Sequence, residues 1–399
     1  MTVQFIQGKH WLEPLTPSGG YPADVLAIAD ELPLLVGRLQ GSIAPETAKR
    51  VGELMRITNS YYSNLIEGQF TEPASLAPRV RVRAPKELRE LALTHVVVQE
   101  VLERSVSRYP DLTWKLLFSR HILGAVHKRL FEGASDADLR VEEGRLMVPG
   151  QLRDVAQKNV FVGDHAAPGW ESVGVMVARM EEVYGVAQDP RSRLLAAMAY
   201  HHRLAFTHPF EDGNGRLIRM MTHLQLVKIG LGSPLWSISR GLARRQDDYY
   251  AKLRAADQPR RGDLDGRGQL TQSGLVDFVR FMLEVCKDQV LYTTDAMAVH
   301  TLRDRLERVV RFEPRFIEAG VKPEAARALH LLLIQGQVSR ADFKVYLGLG
   351  ERTAIQQLKA LTELEVVDAP TPKSREVYPG LPIWFAQLVF PDLHRRFQG

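Results

Sequence analysis

The stretch His208-Pro-Phe-Glu-Asp-Gly-Asn-Gly-Arg-Leu-Ile-Arg219 decides how this 399-residue chain is interpreted. It places an imidazole, a carboxylate, a Gly-Asn-Gly turn and two arginines within twelve residues. Because Gly213 and Gly215 lack side chains, the backbone N–H groups of the turn can converge on an anion. The stretch therefore predicts a site that holds a polyphosphate.

A helix is predicted to begin at this turn. Apolar residues follow it at helical spacing, namely Leu217, Ile218, Met220, Met221, Leu224 and Val227. The free N–H groups and the positive dipole end of such a helix would face the phosphates. Arg216 and Arg219 are three residues apart near its start, so both can reach the same anion.

Two more residues of the stretch suit phosphate chemistry. Asp212 offers a hard oxygen ligand and is predicted to hold Mg²⁺ across phosphate oxygens. His208 lies in the loop before the helix, and its imidazole is the natural general base. The simpler interpretation is a solvated turn with surface arginines, and the close grouping of so many mutually useful polar residues argues against it.

Composition limits the class of protein. Hydrophobic residues make up 45% of the chain and charged residues 25%, which is typical of a globular protein without extended disorder. The net charge of +5 is compatible with nucleotide or nucleic-acid partners. The single cysteine excludes an internal disulfide framework. With neither a secretory signal nor a membrane-spanning run, the sequence predicts a cytoplasmic protein with no membrane partner.

The chain is predicted to be mainly α-helical, because apolar residues recur at helical spacing through most of it. The helical segments are 23–39, 46–67, 88–109, 114–131, 170–184, 191–206, 246–256 and 275–292. Between residues 139 and 163 the pattern changes, with Gly144, Pro149 and Gly150 as interruptions and a β-prone run at 159–162. We predict a small hairpin there.

The stretch 208–219 resembles the signature of Fic (filamentation-induced-by-cAMP) domain proteins, and it fills every fixed position of that signature. The resemblance implies a helical Fic-fold core with a small β-hairpin flap. It also implies transfer of AMP from ATP to a Ser, Thr or Tyr hydroxyl of a target protein. In that reaction His208 would deprotonate the hydroxyl and Asp212 would hold Mg²⁺ on the α- and β-phosphates.

The resemblance also assigns the nucleotide contacts of the motif. The turn residues Gly213, Asn214 and Gly215 would bind phosphate. The two arginines, Arg216 and Arg219, would take the β- and γ-phosphates. ATP is thus the expected substrate, together with an unidentified target protein, and modification of the chain by itself is a further expectation.

Two other segments resemble nucleotide-binding parts of the family. The hairpin residues Val160, Phe161, Val162 and Gly163 are similar to the flap that covers the α-phosphate region and pairs with the target. The pair Tyr249 and Tyr250 resembles the segment that lines adenine and ribose, for which a flat aromatic face is suited. The alternative for the hairpin is plain closure of a core, and the alternative for the tyrosines is a place in that core.

The segment Ser63-Asn-Leu-Ile-Glu67-Gly68 ends a predicted helix. Ser63 and Glu67 share a face, and Gly68 is a suitable residue to stop the helix. A Glu at a helix C-terminus opposes the helix dipole and needs a cation, for which a surface Lys or Arg would suffice. The segment resembles the inhibitory motif of the Fic class with an N-terminal inhibitory helix, which implies that Glu67 pairs with Arg219 in place of the γ-phosphate.

The pattern changes once more after residue 323. Three helices are predicted, at 325–333, 339–346 and 351–364, the last with Ile355, Leu358 and Leu361 inward. Two β-prone pairs, 366–367 and 377–378, flank a polar tip. The order resembles a winged helix-turn-helix, a module that binds DNA or serves in dimerisation or docking. The candidate DNA contacts are Arg352, Thr353, Gln356, Gln357 and Lys359 on the third helix, with Lys373 and Arg375 on the wing.

These patterns predict three regions. They are an N-terminal helical region at 1–110 with the inhibitory helix ending near Gly68, a Fic catalytic core at 111–311, and a winged helix-turn-helix domain at 323–399. The predicted function is protein AMP transfer restrained by Glu67. Removal of AMP by the same site and a nucleotide-sensing DNA-binding regulator are the alternatives, and a homodimer is a further expectation.

Overall fold

The computed structural model describes residues 8–76, 86–141, 144–162, 165–232, 235–371 and 374–394. Across these residues the chain is mainly α-helical, as predicted, with one two-stranded and one three-stranded sheet. No helix in this described part is long and apolar enough to cross a membrane.

The N-terminal part contains three long helices, which are α1 (Ala23–Ser42), α2 (Pro45–Ile66) and α3 (Lys86–Arg108). A second group follows, with α4 (Arg120–Leu130), α5 (Asp136–Leu139), the strands β1 (Phe161–Val162) and β2 (His165–Ala166), α6 (Trp170–Tyr184), α7 (Pro190–Thr207) and α8 (Asn214–Lys228). The next helices are α9 (Ile238–Arg244), α10 (Gln246–Ala256), α11 (Gln272–Ala296), α12 (Val299–Phe312) and α13 (Pro314–Glu318).

Helix boundaries follow local capping chemistry. Asp189 accepts a hydrogen bond from the Ser192 N–H and starts α7, where Pro190 occupies the first turn. Ser119 caps α4 through the Ile122 N–H, and its extended backbone separates α4 from a 3₁₀ turn at Lys115–Phe118. The helix predicted over 114–131 is therefore two elements, because a side-chain cap inside an apolar run was not recognised.

Helix α8 lies at the centre of the molecule. It packs against α7 on one side and α3 on another, with α2, α4 and α9 also in contact. Its residues are buried all round and not along one stripe only, and this includes the arginines Arg216 and Arg219. A helix that is buried on every side keeps its N-terminus in a fixed place, so the turn at Gly213 is held rigidly by the fold.

The predicted hairpin is present between α5 and α6. Strands β1 and β2 pair antiparallel, with Phe161 opposite Ala166. The Phe161 ring is 54% exposed. An exposed aromatic at the edge of a two-stranded ribbon is a surface that a further extended segment could join.

The C-terminal part consists of α14 (Ala325–Gln335), β3 (Val338–Ser339), α15 (Arg340–Leu347), α16 (Glu351–Glu363), β4 (Val367–Asp368), β5 (Glu376–Pro379) and α17 (Ile383–Val389). Its three strands are antiparallel in the order β3-β5-β4. The helices and the β4–β5 pair agree with the sequence pattern, whereas β3 and α17 were not predicted.

Two residues of α16 face differently from the prediction. Ile355 is 52% exposed and does not point inward. Gln357 is buried, donates to the Gly320 carbonyl and accepts from the Lys322 N–H, so it is not placed to contact DNA bases. The buried face is centred on Ala354, Leu358 and Leu361 instead. The wing residue Lys373 lies outside the described residues.

The C-terminal part rests on α2, the helix predicted to be inhibitory. Thr47 donates to the Leu333 carbonyl at 2.7 Å, and Arg50 forms an ion pair with Asp368. Farther along α2, the Tyr62 hydroxyl donates to the Leu393 carbonyl at 3.0 Å. The division at residue 323 stays a prediction, and the chain on its two sides is joined by buried hydrogen bonds.

Candidate active site

The motif loop joins α7 to α8 by two backbone turns. His208 follows the last residue of α7 with φ 46° and ψ 64°, in the left-handed region that a side chain with a Cβ disfavours. Gly213 precedes α8 with φ 75°, which glycine adopts without strain. The half-buried His208 thus lies at the start of the loop that leads from α7 to α8.

Asn214 fixes the shape of the loop. Its Oδ1 accepts from the Phe210 N–H at 3.0 Å, and its Nδ2 donates to the Phe210 carbonyl at 2.9 Å. The side chain is buried, and both its oxygen and its nitrogen are engaged by these bonds. The predicted phosphate contact of Asn214 therefore rests on its backbone N–H at the start of α8.

His127 of α4 holds the loop from outside the motif. Its Nδ1 accepts from the Gly150 N–H at 2.9 Å, so its Nε2 carries the proton and donates to the Asp212 carbonyl at 2.9 Å. Its ring also stacks on Phe210 with centroids 3.9 Å apart. Burial lowers the pKa of His127 to about 4, so the ring stays neutral and keeps this tautomer.

The two carboxylates of the loop have opposite environments. Glu211 is nearly buried and bonds Arg145 at 2.7 Å. The Asp212 side chain is 58% exposed and stands 3.9 Å from the nearer Arg216 nitrogen. No cluster of three or more His, Cys, Asp or Glu side chains that could hold a metal occurs among the described residues. An exposed single carboxylate suits Mg²⁺, which takes one or two protein carboxylates together with phosphate oxygens.

Arg216 is held by an aromatic ring. Its guanidinium lies over the Phe131 ring at 4.7 Å from the centroid, and burial lowers the pKa of Arg216. The same ring stands against Gly213, where an added Cβ would come within 2.5 Å of it. Glycine is therefore needed at 213 both for the turn and for this close approach.

Helix α2 ends in a Schellman turn, beside the start of α8. The Gln69 N–H bonds the Asn64 carbonyl and the Gly68 N–H bonds the Leu65 carbonyl, both at 2.9 Å. Gly68 has φ 74°, the left-handed value that this turn requires. Glu67 is the capping residue, so its position is set by the turn.

The Glu67 carboxylate bonds the second arginine of the motif. Arg219 donates from Nη2 to Glu67 Oε1 at 2.7 Å and to the Ser63 carbonyl at 2.7 Å, and from Nε to Ser63 Oγ at 3.0 Å. The carboxylate also presses on Gly215, where an added Cβ would lie 2.0 Å from Oε1. It thus lies against the first turn of α8, where the sequence predicts phosphate binding, and Ser63, Glu67 and Gly68 all contribute to its placement.

The two tyrosines are neighbours, with ring centroids 5.5 Å apart, but they differ in burial and in hydrogen-bond partner. Tyr249 is buried, and its hydroxyl donates to His201 Nε2 at 2.8 Å, because His201 Nδ1 donates to Thr222. Tyr250 is half-buried and donates to the Ile66 carbonyl at 3.0 Å. The nucleotide contact of both residues stays a prediction, and their observed contacts support α8 and the end of α2.

The base of the flap is joined to the motif loop through Arg153, which donates to the His208 carbonyl and to the Pro168 carbonyl. Val160 precedes β1, and its carbonyl accepts from the Ala167 N–H at 3.2 Å. Phe161 and Val162 form β1. Gly163 lies outside the described residues. The role of the flap in covering a nucleotide stays a prediction.

Three residues that hold the site were missed in the sequence. They are His127, Phe131 and Arg153, which contact the motif loop from α4 and from the segment before the hairpin. No local pattern marks them, because their partners are 55 to 85 residues away. A polar residue inside an apolar helical face, as His127 is in α4, was the available signal.

The family model described as Fic/DOC matches residues 117–226, from the turn before α4 to the end of α8. Residues 117–226 form a Fic domain. This match contains the motif loop and the hairpin, and the mainly helical fold agrees with it.

Curated relatives match about a third of the chain. The chain is 37% identical over 148 residues to "Protein adenylyltransferase Fic" of Culex quinquefasciatus, which is 36% of this chain and 25% of that protein. It is 35% identical over 139 residues to the protein of the same name from Drosophila willistoni, covering 34% and 23% of the two chains. The chain thus spans about a quarter of the length of these relatives.

Solved structures resemble the chain over a longer part. A Fic family protein from Desulfovibrio desulfuricans G20 has a TM-score of 0.55 at 19% identity, covering 92% of this chain and 98% of that one. A Fic domain containing signaling protein from Bacteroides thetaiotaomicron has a TM-score of 0.50 at 17% identity, covering 67% and 95%. At these identities the likeness concerns the fold.

Proposed function

We propose that the chain is a protein adenylyltransferase that moves AMP from ATP to a hydroxyl of a target protein. The Fic domain and relatives named protein adenylyltransferase support the reaction class. The observation that carries the proposal is the motif loop, where His208 caps the end of α7 and leads into the N-terminus of α8, whose first turns carry the buried Arg216 and Arg219.

The residues divide the reaction between them. His208 takes the proton of the target hydroxyl, whose oxygen forms a bond to the α-phosphorus. The bond from that phosphorus to the oxygen bridging to the β-phosphate breaks, and pyrophosphate leaves. Arg216, Arg219 and the N–H groups at the start of α8 hold the phosphates and stabilise the charge that develops on the leaving group.

Asp212 is the residue that would hold Mg²⁺ with the nucleotide. When bound, the ion neutralises phosphate charge and aligns the α- and β-phosphates. The His127 bond to the Asp212 carbonyl directs this residue, so the protein presents the carboxylate from a fixed loop. ATP, Mg²⁺ and a target protein are thus the proposed ligands.

Glu67 is proposed to restrain the reaction. Its carboxylate pairs with Arg219 and lies on Gly215, at the place where a terminal phosphate would need the same N–H groups and guanidinium. ATP must displace this anion or bind with its phosphates shifted along the loop. A shifted α-phosphate is no longer in line with the hydroxyl that His208 activates.

Removal of the carboxylate tests both the activity and the restraint. We expect Glu67→Gly to raise self-labelling by labelled ATP at least tenfold above wild type, because Arg219 becomes available to the nucleotide. Glu72→Gly, the same change at an exposed residue just beyond α2, is the matched control. Equal labelling of Glu67→Gly and wild type over a range of ATP and Mg²⁺ concentrations would contradict the restraint. Incubation with cell lysate then identifies labelled targets.

The fixed carboxylate also favours a second use of the site, removal of AMP. Glu67 is held by its Schellman turn and by Arg219 while its side chain remains 34% exposed, so it could align a water for attack on an AMP-modified side chain. Self-labelled Glu67→Gly protein is a ready substrate. Loss of its label on addition of wild-type chain, and retention on addition of the His208→Ala chain, would support this reaction.

DNA binding by the C-terminal part is the weaker proposal. Its element order supports assignment as a winged helix-turn-helix, which could instead serve dimerisation or docking of a target. The exposed face of α16 carries Arg352 and Lys359 but also Glu351, Glu363 and Ile355. Acidic and apolar groups on this face disfavour contact with phosphates. A gel shift with random DNA at several salt concentrations tests the point.

A further inference from the structure

Arg153 is a buried arginine beside the motif loop. Only 2% of it is exposed, and burial lowers its pKa to about 10, so it is still charged at neutral pH. Its hydrogen-bond acceptors among the described residues are uncharged oxygens. Burial of a guanidinium costs free energy unless its N–H groups are hydrogen-bonded. The positions of its acceptors therefore show which parts of the fold Arg153 holds together.

One side of Arg153 holds the end of α7. Its Nε donates to the His208 carbonyl at 2.8 Å and its Nη2 to the Thr207 carbonyl at 3.0 Å, while its backbone N–H bonds the Pro209 carbonyl at 2.9 Å. The carbonyls of three consecutive residues, 207–209, are thus fixed by one residue. A cation at a helix C-terminus also complements the helix dipole.

These bonds act where the backbone is strained. His208 has φ 46°, a left-handed conformation that persists in a residue with a Cβ only when its surroundings impose it. The direction of the imidazole follows from this backbone. Arg153 is the side chain that bonds the carbonyls on either side of the His208 Cα.

The other side of Arg153 holds both ends of the flap. Its Nη2 donates to the Pro168 carbonyl at 2.8 Å, after β2, and its Nη1 reaches Asn159 Oδ1 at 3.4 Å, before β1. Asn159 Oδ1 also accepts from the Trp170 N–H at 2.9 Å, which fixes it to the start of α6. One guanidinium therefore spans the base of the hairpin and the catalytic loop.

We propose that Arg153 is a positioning residue that sets the direction of His208 and couples it to the flap. The inference rests on the proposed AMP transfer and adds a residue outside the motif to it. A target segment that joins the exposed edge of the hairpin would then meet a base already aimed at its hydroxyl. The loss of Arg153 would misdirect the base without removing any group that binds ATP.

The kinetic test uses the Glu67→Gly chain with Arg153→Gln or Arg153→Lys added. We expect Arg153→Gln to lower the maximal rate of self-labelling at least tenfold while the KM for ATP stays within threefold, because a misplaced base slows the transfer step. Arg153→Lys should lie between, since it keeps the charge but cannot span both sets of carbonyls. If Arg153→Gln does not fold, the labelling rate and the KM of Arg153→Lys are compared with those of the Glu67→Gly parent.

Arg203→Gln is the matched control, because Arg203 is also a buried guanidinium that donates to a backbone carbonyl, that of Pro14. It should lower the melting temperature yet leave the labelling rate per folded molecule within twofold. A rate for Arg153→Gln within twofold of its parent, or a fall in proportion to the lost folded fraction, would reduce Arg153 to a role in stability and overturn the proposal.

Hydrogen–deuterium exchange gives a readout that does not depend on activity. Arg153→Gln should speed exchange in the motif loop and in both hairpin strands while α11 stays protected. Uniformly faster exchange, or none in the loop, would contradict the coupling. If Glu67→Gly itself shows no labelling, the proposed function fails, and the exchange pattern still decides whether Arg153 joins loop and flap.

Discussion

At the scale of single residues, the site depends on its glycines as much as on its polar side chains. A Cβ at Gly213 would collide with the Phe131 ring, and a Cβ at Gly215 would collide with the Glu67 carboxylate. The arginines that would meet phosphate are buried and held, one over an aromatic ring and one by Ser63 and Glu67. The loop is therefore arranged in advance of any ligand, which is how a site lowers the cost of binding.

His208 is expected to be indispensable for AMP transfer. His208→Ala in the Glu67→Gly background should lower the labelling rate by about 10²–10⁴-fold, the usual loss for a general base. ATP affinity should stay within threefold, because the phosphate-binding groups lie on α8. His121→Ala, at an exposed position of α4, is the control. Calorimetric titration measures the ATP affinity, and labelling measures the transfer rate. A transfer rate within threefold of the parent would show that His208 is not the base.

Gly215→Ala is expected to have opposite consequences in two backgrounds. In the otherwise wild-type chain the new methyl group would collide with Glu67 Oε1 and push the carboxylate off Arg219, which should raise self-labelling severalfold. In Glu67→Gly there is no carboxylate to displace, so the same methyl group can only crowd the phosphates, and labelling should stay level or fall. The same response in both backgrounds would show that Gly215 and Glu67 are not coupled.

At the scale of elements, a buried polar network ties α2, α3 and α8 together. Glu103 of α3 bonds Arg56 of α2 at 2.8 Å and His223 of α8 at 2.7 Å, and Gln99 joins it at 2.8 Å. Burial raises the pKa of the Glu103 carboxyl, but the hydrogen bond and charge of His223 and the charge of Arg56 outweigh it and lower the pKa to about 2. The network stabilises the packing of α2, the helix that carries Glu67, on the motif helix α8.

This network makes stability depend on pH in acid. Since the pKa of Glu103 is lowered on folding, its contribution is complete above the ordinary value of 4.5 and is lost as the pH falls from there towards 2. Glu103→Gln should cost roughly 3 kcal/mol at pH 7, and the difference from wild type should vanish near pH 2. Urea unfolding at several pH values measures it. Glu100→Gln, at a partly exposed position on the same helix, should be nearly silent, and a pH-independent difference would contradict the assignment.

Local features of this structure could be predicted from the sequence, whereas contacts between residues far apart in the sequence could not. The turn at Gly213, the helix after it and the pairing of Glu67 with Arg219 follow from neighbouring residues or from the family resemblance. The buried side of α16 was misjudged because period alone cannot tell which side packs, and Gln357 is buried to satisfy Gly320 and Lys322. Arg153 and His127 act through partners that only the folded chain brings near.

At the scale of the whole molecule, the C-terminal part is packed against the part of the chain that contains the Fic domain. The Tyr292 hydroxyl donates to the Pro391 carbonyl at 2.8 Å, and Arg240 donates to the Asp392 carbonyl at 3.1 Å. Tyr62 of α2 is fully buried under Leu393. The hydrophobic core is continuous across residue 323. The sequence pattern changes at the predicted boundary, but the residues on its two sides pack into one core.

Truncation after residue 322 is therefore expected to destabilise the rest of the chain. It would expose Tyr62 and leave the Arg240 and Tyr292 donors without these partners, so the shortened chain should melt several degrees lower or aggregate. Thermal melting of the full and shortened Glu67→Gly chains measures this. Leu34→Ala, which truncates a largely exposed side chain of α1, controls for assay variation. An unchanged melting temperature would show that the two parts are independent.

The ion pair between Glu67 and Arg219 is formed within one polypeptide, and this has a consequence for dosage. A separate inhibitor subunit falls away when its concentration drops below its dissociation constant, whereas a tethered carboxylate keeps the same effective concentration at any dilution. Under the proposed restraint, each copy of the chain is restrained to the same degree at low and at high cellular concentration. ATP competes with a carboxylate whose effective concentration does not change with dilution. Curves of labelling rate per molecule against ATP concentration should therefore superimpose when they are collected at different protein concentrations.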